Sequence, residues 1–210
     1  RSMDLALLNV TGVTCPKVLI VPTAAANERP DKAAFNGVDY FGRLGANASS
    51  LMVLDSDDAN DTTMVSKILN SDMVYLTGGS PRYLFDVING SLMLGMLIEA
   101  IRKGVMVVGS SAGAMVLGAH MWFGRWVPSL GVVINSAILP HHEDKDPECV
   151  SASICRKAPS GVTVFGIDSR SGILFGSSGL DVLGVGSVVI YRDGLWSKFS
   201  SKNHIHGMEL

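Results

Sequence analysis

Apolar positions along this chain follow two rhythms. Continuous β-branched runs alternate with segments whose apolar residues recur every three or four positions. "KVLIVPTAAA" (17–26) is a run of the first kind and predicts a strand buried on both faces, as in a parallel sheet. "RPDKAAFNGVDYFGRLG" (29–45) has helical spacing and a glycine stop at Gly45. "SSLMVLD" (49–55) predicts a second strand, and "NDTTMVSKILNS" (60–71) a helix opened by Asn, Asp and Thr cap candidates. "DMVYLTGG" (72–79) predicts a third strand ending in a glycine pair. "YLFDVING" (83–90) and "GMLIEAIRKG" (95–104) predict helices, and "VMVVG" (105–109) a fourth strand.

This alternation of strand and helix, with short loops and right-handed crossovers, predicts an α/β fold with a doubly wound, mainly parallel sheet of the flavodoxin type. The site of such a sheet lies beyond the carboxyl ends of its strands. That directs attention to residues 77–80 and 109–114. The second half reads differently. "GVVINSAIL" (131–139) is apolar without a clear period, and "EDKDPECVSASICRKA" (143–158) predicts a helix disturbed in its middle by Pro147. "VTVFGIDSRSGILFG" (162–176) and "LDVLGVGSVVIYRDG" (180–194) read as antiparallel hairpin material. Asp-Ser-Arg-Ser-Gly, Gly-Ser-Ser-Gly and Arg-Asp-Gly supply the turns. No linker or internal repeat interrupts residues 1–210, so one α/β domain with a C-terminal antiparallel region is expected. The terminal few residues, from Arg1 and through "HGMEL", are set outside the fold as cloning remnants or flexible ends.

Composition narrows the function. Hydrophobic residues make up 47% and charged residues 17%, a globular balance, and the net charge of −2 offers no basic field for nucleic acid or an anionic membrane. Three cysteines, Cys15, Cys149 and Cys155, have no zinc spacing and fit reduced thiols in a cytoplasmic compartment. No apolar run reaches the roughly 20 residues of a membrane span, and no signal-peptide order opens the chain.

The chemistry concentrates in "VVGSSAGAMVLG" (107–118). Gly109-Ser110-Ser111-Ala112-Gly113 matches G-x-S-x-G directly after a strand, the context of a nucleophile elbow. Ser111 is in register for that role; Ser110 is not. The same letters also suit an ordinary tight strand-to-helix corner. Gly78 and Gly79, at the end of the neighbouring predicted strand, permit close approach of backbone N–H groups to an oxyanion. A serine nucleophile needs a base. Of the five histidines, His120 is expected within the helix after the elbow, too far along it to reach Ser111. His204 and His206 lie in a polar tail. "ILPHHED" (138–144) follows an apolar segment, so His141 and His142 are the base candidates.

"IVPTAAA", "VYLTGGSPRYL", "GSSAGAMVLG", "LPHH" and "GIDSRSGILFG…VLGVGSVVIY", in that order, resemble the cyanophycinase and aspartyl dipeptidase (dipeptidase E) family of serine peptidases. That family shares the fold of class I glutamine amidotransferases. The resemblance spans roughly residues 17–192. It implies Ser111 as nucleophile, His141 as base, and the backbone N–H groups of Gly79, Gly78 and Ala112 as oxyanion donors. "DLALLNVTG" matches the family's opening strand poorly. The family's His-orienting acid often falls between serine and histidine, yet residues 112–140 contain no Asp or Glu. Glu143, two residues after His141 in an H-x-E order, is the favoured orienter; Asp144, Asp168 and Ser129 are weaker candidates.

The resemblance further implies a small peptide or isopeptide substrate with an aspartyl residue at the cleaved bond, and no cofactor or metal. Arg82 and Arg125, ahead of Arg156 and Arg170, are candidate cations for the substrate carboxylate. A monomer or homodimer without nucleic-acid or membrane partners is expected. A catalytically weak binding or regulatory domain of the same fold, and an esterase-like acyl hydrolase, are the alternative readings.

Overall fold

The computed structural model describes residues 2–176, 179–201 and 203–206. Helix α1 (Ser2–Val10) replaces an opening strand. The chain divides into two compact units, Leu7–Leu117 and a second made of residues 1–6 with Gly118–Leu210.

The first unit is built on β1 (Lys17–Val21), α2 (Pro30–Gly42), β2 (Asn47–Ser50), α3 (Thr62–Val65), β3 (Met73–Leu76), α4 (Pro81–Ile88), α5 (Leu92–Arg102), β4 (Met106–Gly109) and α6 (Ala112–Leu117). Its four strands form a parallel sheet in the order β2-β1-β3-β4. This is the doubly wound arrangement, with the order reversing at β1. Val18, Ile20 and Val21 of β1 are essentially buried, which is why the strand is a continuous apolar run. Gly37 of α2 packs directly on the Ile20 side chain, where a Cβ would collide. Side-chain caps start α3, α4 and α5: Asp61 accepts from Thr63 and Met64 N–H, Ser80 from Tyr83 N–H, and Ser91 from Leu94 N–H.

Two local expectations in this unit are corrected. The second strand ends at Ser50 rather than running to Asp55. Leu51 and Val53 are still buried, but from a tight turn in which Val53 N–H donates to Leu51 C=O. The helix expected over 60–71 is one α-turn, α3, followed by a 3-10 segment at Ser66–Asn70.

The second unit holds β5 (Gly118–Trp122), β6 (Trp126–Pro128), β7 (Val133–Pro140), α7 (Pro147–Ser153), β8 (Thr163–Ile167), β9 (Ser171–Gly176), β10 (Gly179–Gly184), β11 (Ser187–Arg192), β12 (Leu195–Ser200) and β13 (His204–His206). Six strands form a mixed sheet, β12-β11-β8-β7-β5-β6, in which β5, β7 and β8 are parallel. A three-stranded antiparallel sheet, β13-β10-β9, completes it. Ala137, Val150, Val162, Val164, Val189 and Tyr191 form a core cluster.

Pro147 does not disturb the middle of a helix. It opens α7 at the first position, where its missing N–H is not needed, and Asp146 caps it by accepting from Glu148 N–H. β9–β10 and β11–β12 are hairpins, as expected. The Gly-Ser-Ser-Gly turn lies partly outside the described residues, at 177–178, as do Arg1 and the tail from residue 207. The Asp-Ser-Arg-Ser-Gly turn does not close a hairpin: β8 pairs parallel with β7, whereas β9 belongs to the other sheet. No single described helix is long and apolar enough to cross a membrane.

Candidate functional site

The serine corner is built entirely within the first unit. β3 and β4 are parallel with Leu76 opposite Gly109, so the residues following each strand emerge side by side. Ser110 N–H continues the ladder to Leu76 C=O at 3.0 Å. Ser111 then has φ +50°, a left-handed backbone that non-glycine residues adopt at a cost. The next residue, Ala112, opens α6, where backbone N–H groups lack intrahelical acceptors.

The flanking glycines are required by space. A Cβ on Gly109 would collide with the backbone of Gly113, and one on Gly113 with the carbonyl of Leu76. Both outer glycines of the motif therefore let α6 lie directly on the ends of β3 and β4. Gly79 has φ +144°, and a Cβ there would strike Ala24 C=O. Gly78 sits beside the serine: a Cβ on it would stand 3.5 Å from Ser111 Cβ. The structure thus brings Gly78, Ser111 and Ala112 together around one corner. Arg82, on the first turn of α4, is paired with Asp86 (Nε–Oδ2 3.1 Å) and exposed.

The histidine loop is built within the second unit. Pro140 at the end of β7 is the register partner of Ile167 at the end of β8. The two parallel strands therefore deliver His141 and the Asp168–Arg170 turn to the same edge. His141 has φ +56° and an exposed ring. Its Nδ1 lies 3.3 Å from Ser169 Oγ. Ser169 is bound in turn to both oxygens of Glu143: its hydroxyl donates to Oε1 at 2.6 Å and its N–H to Oε2 at 2.8 Å. The Ser169 hydroxyl is the first cause, and the Ser169 N–H the second, of a Glu143 carboxyl held down at about 2. Glu143 is ionised at every pH where a histidine titrates.

His142 turns the opposite way. It is buried, with its ring over Gly166, where a Cβ would collide with it, and its Nε2 lies 2.6 Å from the Tyr191 hydroxyl. It is a structural wedge beneath the loop. Burial lowers its pKa from 6.5, Asp168 works against that shift, and burial raises the Tyr191 hydroxyl. Asp168 is committed to the fold, accepting from Ser187 N–H at 2.8 Å through Oδ2.

His120 is not in the helix after the elbow. The helix stops at Leu117, and His120 lies on β5, between β6 and β7, with its Nδ1 buried and unpartnered. Arg125 is exposed at the tip of the β5–β6 hairpin, where Trp122 pairs with Trp126 and their ring centroids lie 5.2 Å apart. Ser169 is the residue that sequence reasoning passed over. It stood in what read as a hairpin turn, and only the parallel pairing of β7 with β8 brings it to His141.

The chain is 24% identical to a cyanophycinase of Nostoc sp. over 194 residues, covering 85% of this chain and 64% of that protein. It is 24% identical over 127 residues to an uncharacterized peptidase of Pasteurella multocida, covering 60% of each. It thus spans about three-fifths of the length of the curated relatives it matches. The crystal structure of a peptidase from an acI-B1 Actinobacterium has the same fold, with a TM-score of 0.78 at 23% identity over 98% of this chain and 89% of that one. The sequence model of peptidase family S51 matches residues 1–181, and the chain belongs to that family.

Proposed function

We propose that this chain is a serine peptidase that hydrolyses small peptides or isopeptides carrying an aspartyl residue at the cleaved bond. The observation that carries this reading is the left-handed backbone of Ser111 at the β4–α6 corner, where Gly109 and Gly113 leave room for the close packing, in a member of peptidase family S51. Strain of this kind persists only where surrounding packing imposes it, and here it projects a hydroxyl at the end of a parallel strand.

In the proposed reaction His141 takes the Ser111 proton as Oγ bonds to the substrate carbonyl carbon. The backbone N–H groups of Ala112 and Gly79, with Gly78 beside them, hold the oxyanion. The tetrahedral adduct collapses, the C–N bond breaks, and His141 returns the proton to the leaving amine. Water, deprotonated by His141, then attacks the acyl carbon; the C–Oγ bond breaks, His141 returns the proton to Ser111 Oγ, and the carboxylic acid product leaves. Glu143 supplies the negative charge that stabilises the imidazolium.

The aspartyl preference rests on the likeness to cyanophycinase, with Arg82 and Arg125 as the cations proposed to receive the carboxylate. Ser111→Ala is expected to abolish hydrolysis of Asp-X dipeptides and cyanophycin. Retained hydrolysis by that variant overturns the mechanism. A panel of Asp-X, Ala-X and p-nitrophenyl acetate tests the substrate class. Turnover of the ester alone assigns an esterase instead.

A further inference from the structure

The one proton of the Ser169 hydroxyl has two claimants. Oγ lies 2.6 Å from Glu143 Oε1 and 3.3 Å from His141 Nδ1. A carboxylate only accepts, and an O···O separation of 2.6 Å is that of a charge-assisted O–H···O⁻ bond. Were the proton turned toward the imidazole, two lone pairs would face each other across that short contact. The hydroxyl proton therefore lies on the Glu143 side. Toward His141, Oγ has only lone pairs to offer, so Nδ1 must carry a hydrogen. Neutral imidazole holds one N–H, and Nε2 is then the basic nitrogen.

We propose that Ser169 is a positioning residue that transmits the charge of Glu143 to His141 and fixes the imidazole in its Nδ1–H tautomer. This deepens the reading of His141 as general base and rests on it. The sequence offered H-x-E as a direct contact. Both Glu143 oxygens are instead occupied by Ser169, one on its hydroxyl and one on its N–H. That two-point grip holds the hydroxyl in line. When His141 becomes imidazolium, Nδ1–H keeps its acceptor, and the developing positive charge is answered by an ionised carboxylate one hydroxyl away. No proton needs to pass along the chain: Glu143 stays ionised and Ser169 keeps its hydrogen throughout.

Two variants separate this from a merely structural bond. Ser169→Ala keeps the N–H bond to Glu143 and removes only the hydroxyl. Glu143→Gln presents an amide whose NH₂ donates to Oγ, letting the hydroxyl proton turn toward Nδ1 and reversing the polarity. Nitrogen-15 NMR of the full chain, with the His141 signals assigned by their loss in His141→Gln, reads the tautomer without substrate. The unmodified protein is expected to show Nδ1–H, both variants a shift toward Nε2–H, and Ser169→Thr the original state. In hydrolysis, Ser169→Ala and Glu143→Gln are expected to lower kcat at nearly constant KM, toward the roughly 10⁴-fold loss that a wrong tautomer causes in a well-studied triad, with Ser169→Thr largely restoring it. An Nε2–H ring in the unmodified protein, or a tautomer indifferent to Ser169→Ala, overturns the relay. The parent reading fails separately, through activity retained by Ser111→Ala, and the NMR result still decides the relay in that case.

Discussion

His142 and Tyr191 form a buried pair, Nε2 to hydroxyl at 2.6 Å, one residue along the chain from the exposed His141. Adjacent histidines thus have opposite surroundings, because the left-handed backbone at His141 sends one ring out and the next one in. Tyr191→Phe keeps the aromatic edge contact, with centroids 5.7 Å apart, but strips the buried imidazole of its partner. The expected cost is about 1–3 kcal/mol, the penalty of one unsatisfied buried polar group. Urea unfolding followed by fluorescence measures it. An unchanged midpoint would show that the pair carries no stability.

The same burial makes stability depend on pH. The folded state holds the His142 pKa below its unfolded value of 6.5, chiefly by burial; Lys145 and Lys198 reinforce the shift and Asp168 and Glu143 oppose it. Between those two pKa values the unfolded chain binds more protons, so stability rises with pH. The His142 contribution is complete above 6.5 and is lost as pH falls toward the lowered folded value. Glu143 acts in a separate window: its carboxyl, held at about 2, loses its contribution only from about 4.5 downward. Urea midpoints at pH 7.5 and 5.5 are expected to fall with acidity, and His142→Gln to flatten that fall.

At the serine corner, packing and helix propensity predict opposite signs. Alanine is the better helix former, so Gly113→Ala would stabilise α6 by about 0.8–1.0 kcal/mol were the helix isolated. Its Cβ would instead meet the backbone carbonyl of Leu76, which has no rotamer in which to yield. A net loss of about 1–3 kcal/mol is expected. Gly79→Ala should also destabilise, through φ +144° and the Ala24 carbonyl. Gly78→Ala is the contrast: its methyl would rest at ordinary distance, 3.5 Å, from Ser111 Cβ. It is expected to leave the unfolding midpoint nearly unchanged while slowing acylation. Thermal melts and hydrolysis rates on the three variants separate the two effects.

What was legible in the sequence was local. Gly109, Ser111 and Gly113 announce their corner because a tight strand-to-helix turn needs missing side chains at fixed offsets. β1 announces itself because burial on both faces writes an unbroken apolar run. Features that depend on distant pairing stayed hidden. β5 continues the apolar letters of α6 without a change of period, so His120 read as helical. Ser169 meets His141, 28 positions away, only because β7 and β8 run parallel with Pro140 opposite Ile167. Glu143 was found by its spacing, yet its bond partner was not, since the spacing says nothing about the turn after β8.

Ser110 and Ser111 are adjacent hydroxyls at one corner, and backbone geometry tells them apart. Ser110 still follows the strand: its N–H bonds Leu76 C=O, and its own C=O accepts from Gly113 N–H at 2.9 Å. Ser111 alone has the left-handed backbone of an elbow, and its C=O accepts from Met115 N–H in the first helical bond. A fluorophosphonate should therefore label the protein once, at Ser111. Ser111→Ala is expected to abolish labelling and to lower kcat on the order of 10⁵-fold or more, as loss of the nucleophile does in a serine peptidase. Ser110→Ala removes a side chain whose backbone carries the local bonds, and should keep labelling and activity within a few-fold. Peptide mapping of the labelled protein checks the assignment directly. Labelling that persists in Ser111→Ala and vanishes in Ser110→Ala would move the nucleophile by one residue.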